Sequence, residues 1–143
     1  MSQFGDTIFL KTQVDVLSFF NEDQLRRVTP DIERSSYEAG QVVMLKGEIS
    51  AHFYIIKAGK VVAAGKTKEG PFKTELIKGD FFGEISLIDN AVMDATVKAL
   101  EAGTEILMIP SQSFQKLLEM QPLLKKTLLD KAAARKAAPK PAA

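Results

Sequence analysis

Between Asp80 and Thr96 the chain carries four carboxylates, Asp80, Glu84, Asp89 and Asp94, and the hydroxyls of Ser86 and Thr96. Carboxylates this close in sequence suit acid–base work or cation binding, and hydroxyls suit a phosphate or a neighbouring backbone group. Neither acid–base nor cation chemistry is completed. An acid–base site needs an activated nucleophile or a second ligand cluster, and the sequence offers neither. There is no cysteine, and the single histidine, His52, lies beside Phe53 and Tyr54 at what reads as a strand end or surface position. One histidine does not build a histidine metal centre. The segment reads as a binding loop without a catalyst. No enzyme activity, metal or resident cofactor is expected.

The elements that must hold this loop fall into three zones. Residues 8–30 read as helical, with Phe9, Leu10, Val14, Leu17, Phe19 and Phe20 apolar. Asn21-Glu22-Asp23-Gln24 has the form of a capping box, Leu25 and Val28 are the buried positions of the short helix that follows, and Pro30 stops it. From about residue 35 to 110, turn residues recur every 8–12 positions, as in an antiparallel barrel or sandwich. The expected strands are Ser35–Tyr37, Val42–Leu45, Phe53–Lys57, Lys60–Lys66, Lys73–Ile77, Ala95–Ala99 and Glu105–Ile109, with a turn at Glu69-Gly70-Pro71. Phe53–Ile56 and Ile106–Ile109 are apolar enough to be buried on both faces. After Pro110, Ser111 or Ser113 is expected to cap a helix bearing Phe114, Leu117 and Leu118. Pro122 separates it from a second helix of about a dozen residues, too short to be stable alone. Its Leu123–Leu129 face needs a partner, either the β-structure or a second copy. Residues 131–143 form a basic Ala/Lys/Pro tail expected to be disordered, leaving one domain over 1–130.

The run Gly79-Asp80-Phe81-Phe82-Gly83-Glu84-Ile85-Ser86-Leu87, closing at Asp94-Ala95-Thr96-Val97, resembles the phosphate-binding cassette of cyclic-nucleotide-binding domains. The resemblance extends over about residues 14–130, through Tyr37-Glu38-Ala39-Gly40 and Phe53-Tyr54-Ile55-Ile56-Lys57-Ala58-Gly59. It implies a mainly β fold: an antiparallel β-roll or jelly-roll with short N-terminal helices and two C-terminal helices. It also implies a ligand site made of Phe82, Gly83, Glu84, Ile85, Ser86, Ala95 and Thr96. In that family a short helix starts after the glycine and offers its N–H groups to the phosphate, while the glutamate accepts from the ribose. An arginine nine residues after the glutamate grips the phosphate. Here that position is Met93, followed by Asp94, and no arginine lies between Arg34 and Arg135.

Losing a charge-assisted grip of about 1.5–3 kcal/mol per hydrogen bond, and leaving a buried charge unpaired at roughly 3–5 kcal/mol, weakens binding about a hundred- to several-thousand-fold. Asp94 adds repulsion, and Lys98 is the one nearby cation whose direction decides whether it compensates. Cyclic AMP or cyclic GMP is therefore expected to bind weakly or not at all. Glu84 is read either as a ligand contact or as a cap of its own helix. Ser86 and Thr96 are expected to satisfy neighbouring backbone, and Met93 to pack as core or to close the pocket.

A formal charge of +1 argues against nucleic acid as the main partner. No stretch reaches the roughly 20 apolar residues that span a bilayer. The N-terminus lacks a secretory pattern, so a cytoplasmic location is expected. With no DNA-binding domain expected, the leading reading is a stand-alone regulatory module acting through an unidentified protein partner, with a homodimer through the Leu123–Leu129 helix as a further expectation. A sensor for a cyclic nucleotide, a cyclic dinucleotide or a less anionic metabolite is the alternative.

Overall fold

Strand Phe53–Ile56 has no polar face, and the fold uses both of its sides. In the computed structural model, which describes residues 3–67, 70–137 and 140–141, this segment lies in β3 (His52–Ala58). Phe53 and Ile55 point into one hydrophobic core, and Tyr54 and Ile56 into another. The same alternation runs through β8 (Thr104–Pro110), where Leu107 and Ile109 join the first core and Ile106 the second. It recurs in β6 (Phe81–Phe82), where Phe81 faces one way and Phe82 the other. With β1 (Glu33–Tyr37) these strands form a sheet of order β1-β8-β3-β6. That sheet is the wall between two interiors.

On its outer side lie the helices. α1 (Gln3–Gln13) and α2 (Glu22–Arg26) precede the strands, joined and followed by single 3-10 turns at Asp15–Leu17 and Thr29–Asp31. The capping box forms: Asn21 Oδ1 accepts from the Gln24 amide at 2.8 Å, and Gln24 Oε1 accepts from the Asn21 amide at 3.0 Å. Leu25 and Val28 are fully buried, whereas Phe19 stays 40% exposed. Pro30 sits inside the second 3-10 turn, after α2 has already ended. α4 (Ser111–Met120) and α5 (Leu123–Ala137) close the helical side. Neither serine caps α4; Pro110 holds the N-cap position, and Ser113 Oγ donates instead to Asp31 Oδ2 at 3.1 Å. The proline already fixes an extended φ there, so the hydroxyl is released for a tertiary bond.

The second sheet, β2-β7-β4-β5-β9, covers the other interior. It comprises β2 (Val42–Met44), β4 (Lys60–Thr67), β5 (Gly70–Ile77), β7 (Ala95–Ala99) and β9 (Lys140–Pro141). All pairings in both sheets are antiparallel. The architecture is thus the expected β-roll with flanking helices. Gly70 and Pro71, expected as a turn, instead start β5, with Pro71 opposite Lys66.

Two expectations about the last helix are corrected. Leu124 and Leu128 are fully buried in the same chain's helical core, so the face proposed for a second copy is already occupied. Leu123 is left 61% exposed. The helix also runs past the anticipated start of a disordered tail at 131 and reaches Ala137, with Ala132 buried. Alanine-rich, lysine-bearing sequence is strong helix former once a tertiary anchor exists upstream. The tail residues 138, 139, 142 and 143 lie outside the described residues.

Candidate functional site

Gly83 is the pivot of the site because its backbone has φ +88°. A Cβ there would stand 2.9 Å from the His52 carbonyl oxygen and 2.9 Å from Tyr54 Cδ1. Only glycine fits both the angle and the space. The turn lets β6 end and α3 (Glu84–Asp89) begin at once, so the short helix expected after the glycine is present. It stops at Asn90, the one described non-glycine residue with positive φ, at 54°.

The loop after α3 is pinned to the loop before β3. The Met93 amide donates to Glu48 O at 2.7 Å, and the Gly47 amide donates to Met93 O at 2.8 Å. Backbone pairing on both sides directs the Met93 side chain inward, where it is 8% exposed and packs with Met44, Tyr54 and Phe82. Gly65 on β4 admits the carbonyl of Asp94, which a Cβ would approach to 2.4 Å. Beneath this loop Tyr54 stacks on Phe82, with ring centroids 4.6 Å apart and planes within 4°. Burial raises the Tyr54 phenol above its ordinary pKa, and Tyr37 adds to the shift.

These constraints leave a cavity of about 260 Å³. α3 and the 91–94 loop form its floor and rim, Ala95 and Val97 one wall, and Ala63 and Phe72 another. Ala132 of α5 closes the far side. Met93 therefore forms part of the wall and does not fill the space. Among the residues whose side chains are described, no lysine, arginine or histidine lines this cavity; Glu84, 3% exposed, and Asp94 at the outer edge are the ionisable groups among them. Lys98 does not compensate. On β7, Ala95, Val97 and Ala99 face inward, so Lys98 is exposed on the opposite face.

The expected site residues divide by what their atoms already do. Phe82, Gly83, Glu84, Ile85, Ser86 and Ala95 all border the cavity, as do Met93 and Asp94. Thr96 does not: it turns outward, and its Oγ1 accepts from the Lys46 amide at 3.0 Å. The Ser86 hydroxyl accepts from the Ser50 amide at 2.9 Å and donates to Ala91 O, so it ties the ends of α3 to the neighbouring loop. The four carboxylates are dispersed. Asp80 accepts from the Ile77 amide at 2.9 Å in its own turn, Asp89 is exposed, and Glu84 and Asp94 lie at the floor and the rim. No metal-binding cluster occurs among the described residues. His52 approaches Glu33 at 3.4 Å at the start of β3 and does not border the cavity.

Sequence reasoning missed Ala63, Phe72 and Ala132. Phe72 was hidden at a supposed turn, and Ala132 in a run that read as low-complexity tail. No local signal marks an alanine as a cavity wall.

Residues 34–121 match the family model described as the cyclic nucleotide-binding domain. The cAMP-dependent protein kinase regulatory subunit of Schizosaccharomyces pombe is 36% identical over 90 residues, covering 63% of this chain and 21% of that protein. The regulatory domain of Toxoplasma gondii PKA, solved with cAMP, superposes with a TM-score of 0.80 at 24% identity, over 92% of this chain and 50% of that one. A regulatory subunit of a cAMP-independent protein kinase A from Trypanosoma cruzi, solved with guanosine, gives a TM-score of 0.76 at 21% identity, over 98% and 52%. At these identities the two structures establish the fold. The chain spans about a fifth of the length of the curated relatives it matches.

Proposed function

Because this chain belongs to the cyclic nucleotide-binding domain family, we propose that it is a non-enzymatic regulatory module whose cassette no longer grips a cyclic phosphate. One observation carries the reading: the arginine position is Met93, and the cavity it borders has two carboxylates and no cation among the residues whose side chains are described. An anion entering it would exchange water for Glu84 and Asp94. At an effective dielectric of about 20, unit charges 4 Å apart repel by about 4 kcal/mol, enough to abolish micromolar affinity. The related subunit described as cAMP-independent supports the idea that this fold can serve without that ligand. Signal output through a protein partner is the accompanying proposal, since the relatives include kinase regulatory subunits. No described helix is long and apolar enough to cross a membrane.

Titration calorimetry with cyclic AMP and cyclic GMP should give no saturable heat below the millimolar range. The double variant Met93→Arg, Asp94→Ala should gain measurable binding, because it restores the cation and removes the rim charge. A micromolar isotherm for the unaltered chain would overturn the proposal.

A further inference from the structure

We propose that the groove between the end of α1, the β5–β6 turn and α5 binds a small zwitterion, a free amino acid or short peptide carrying both an amine and a carboxylate. This groove is separate from the cavity beside α3 and shares no lining residue with it.

Its charges point to that class. Two carboxylates and two ammonium groups line the groove: Asp15 in the 3-10 turn after α1, Lys78 and Asp80 in the turn between β5 and β6, and Lys131 on α5. Opposite charges that share a groove ordinarily pair. Among the described residues, however, no ion pair joins any of these four. Acids and bases are held apart across the space, and each sign comes from two different elements. An anion entering it meets Asp15 and Asp80, and a cation meets the two lysines. An uncharged molecule strips water from all four without replacing it. A ligand with one group of each sign answers both.

The floor is built in advance. Gly79 has φ +91°, and a Cβ there would strike the Gln13 carbonyl oxygen, so glycine alone lets the turn lie against the end of α1. The same turn is tied to β3, with the Gly79 amide donating to Ile56 O and the Ile56 amide donating to Asp80 O, both at 2.9 Å. Asp80 Oδ2 accepts from the Ile77 amide at 2.9 Å, which orients the carboxylate and leaves its other oxygen for an ammonium group. Lys131 stands beside buried Ala132, so the stretch of α5 that carries it is anchored. Exposed Ile77 offers an apolar surface for a ligand side chain. At about 470 Å³ the groove lies within the roughly 300–1,000 Å³ of small-molecule pockets.

The full chain should be titrated calorimetrically with leucine, phenylalanine and alanyl-leucine, each also as its N-acetyl and its C-terminal amide form. At least one free zwitterion should saturate in or below the millimolar range. Both of its capped forms should bind about fivefold or more weakly, because each removes one charged contact in a solvent-facing groove. Lys131→Ala and Asp15→Asn, both at exposed positions and checked for an unchanged circular dichroism spectrum, should weaken it similarly. Lys116→Ala, exposed on α4 and outside the groove, should leave it unaltered. Amide shifts on binding should centre on Gly79 and Lys131. Saturation by the single amino acids assigns a free amino acid, and by alanyl-leucine alone a peptide; either supports the site. Failure of all three to saturate overturns it. So do capped forms that bind like their parent, indifference to Lys131→Ala and Asp15→Asn, or shifts centred on Gly83–Ser86. None of these results bears on whether the cassette grips a cyclic phosphate.

Discussion

The two sides of the β1-β8-β3-β6 wall are built to different standards. On the helical side Phe53 packs against the rings of Phe81 and Phe114 at 5.5 and 5.0 Å, and Leu10, Leu17, Phe20, Leu124 and Leu128 leave essentially no exposed surface. Charge is closed there as well: buried Asp6 on α1 pairs with Arg34 of β1 and lies 3.7 Å from Lys57 of β3. Lys57 in turn covers the Phe9 ring at 4.3 Å. On the roll side the inward positions include Ala63, Ala95 and Met93, and a cavity remains. One strand thus holds a close-packed interior against an interior with room in it. The difference separates stability from binding, since dense packing resists any inserted ligand.

The comparison can be broken most directly by truncating each side. Phe53→Ala should cost about 3–5 kcal/mol in urea unfolding, because the aromatic cluster cannot collapse into the gap. Met93→Ala should cost about 2 kcal/mol or less, the low end for such truncations, because that wall already faces empty space. Equal losses would mean that the two interiors are equally packed.

Gly83→Ala comes next. It forces a positive φ on an L side chain and drives a Cβ against His52 and Tyr54, for a cost of about 1–3 kcal/mol. The amide shifts of α3 should move while those of α1 do not. Asp6→Asn should cost about 1–3 kcal/mol by leaving Arg34 and Lys57 without their carboxylate, moderated because both cations are partly exposed. Its effect should appear first as faster hydrogen exchange in α1, on the helical side only.

The smallest effect is a pH dependence on the roll side. Burial raises the Tyr54 pKa in the folded chain, so its neutral form is favoured there. The resulting stability is fully present below the unfolded pKa of about 10 and is lost as pH rises through the higher folded value. Tyr54→Phe should flatten that part of the alkaline decline in thermal melts. An unchanged slope would remove Tyr54 as its source.

Much of this division could be read from residue order. Phe53–Ile56 and Ile106–Ile109, with no polar alternation, announced strands buried on both faces, and each does serve two cores. Asn21 and Gln24 announced a cap, because that bond is local. The capping assignments at Ser111 and Ser113 failed because Asp31, far away in sequence, was the better partner for Ser113. The Leu124–Leu128 face was legible as buried but not as to what buries it, since periodicity identifies an apolar face and never its neighbour. β6 and β9, each two residues long, are too short to leave a pattern.

At the site, the sequence by itself determined the glycine at 83, the acceptor at Glu84 and the absence of a cation at Met93. These are properties of residue type, and no packing can supply a guanidinium that is not encoded. Tertiary structure alone decided that Lys98 faces away, which backbone groups take the Thr96 and Ser86 hydroxyls, and that Met93 lines a cavity instead of plugging it. Those outcomes depend on which strand faces and loops meet across the roll. Side-chain direction follows register, and register is set by contacts between residues distant in the chain.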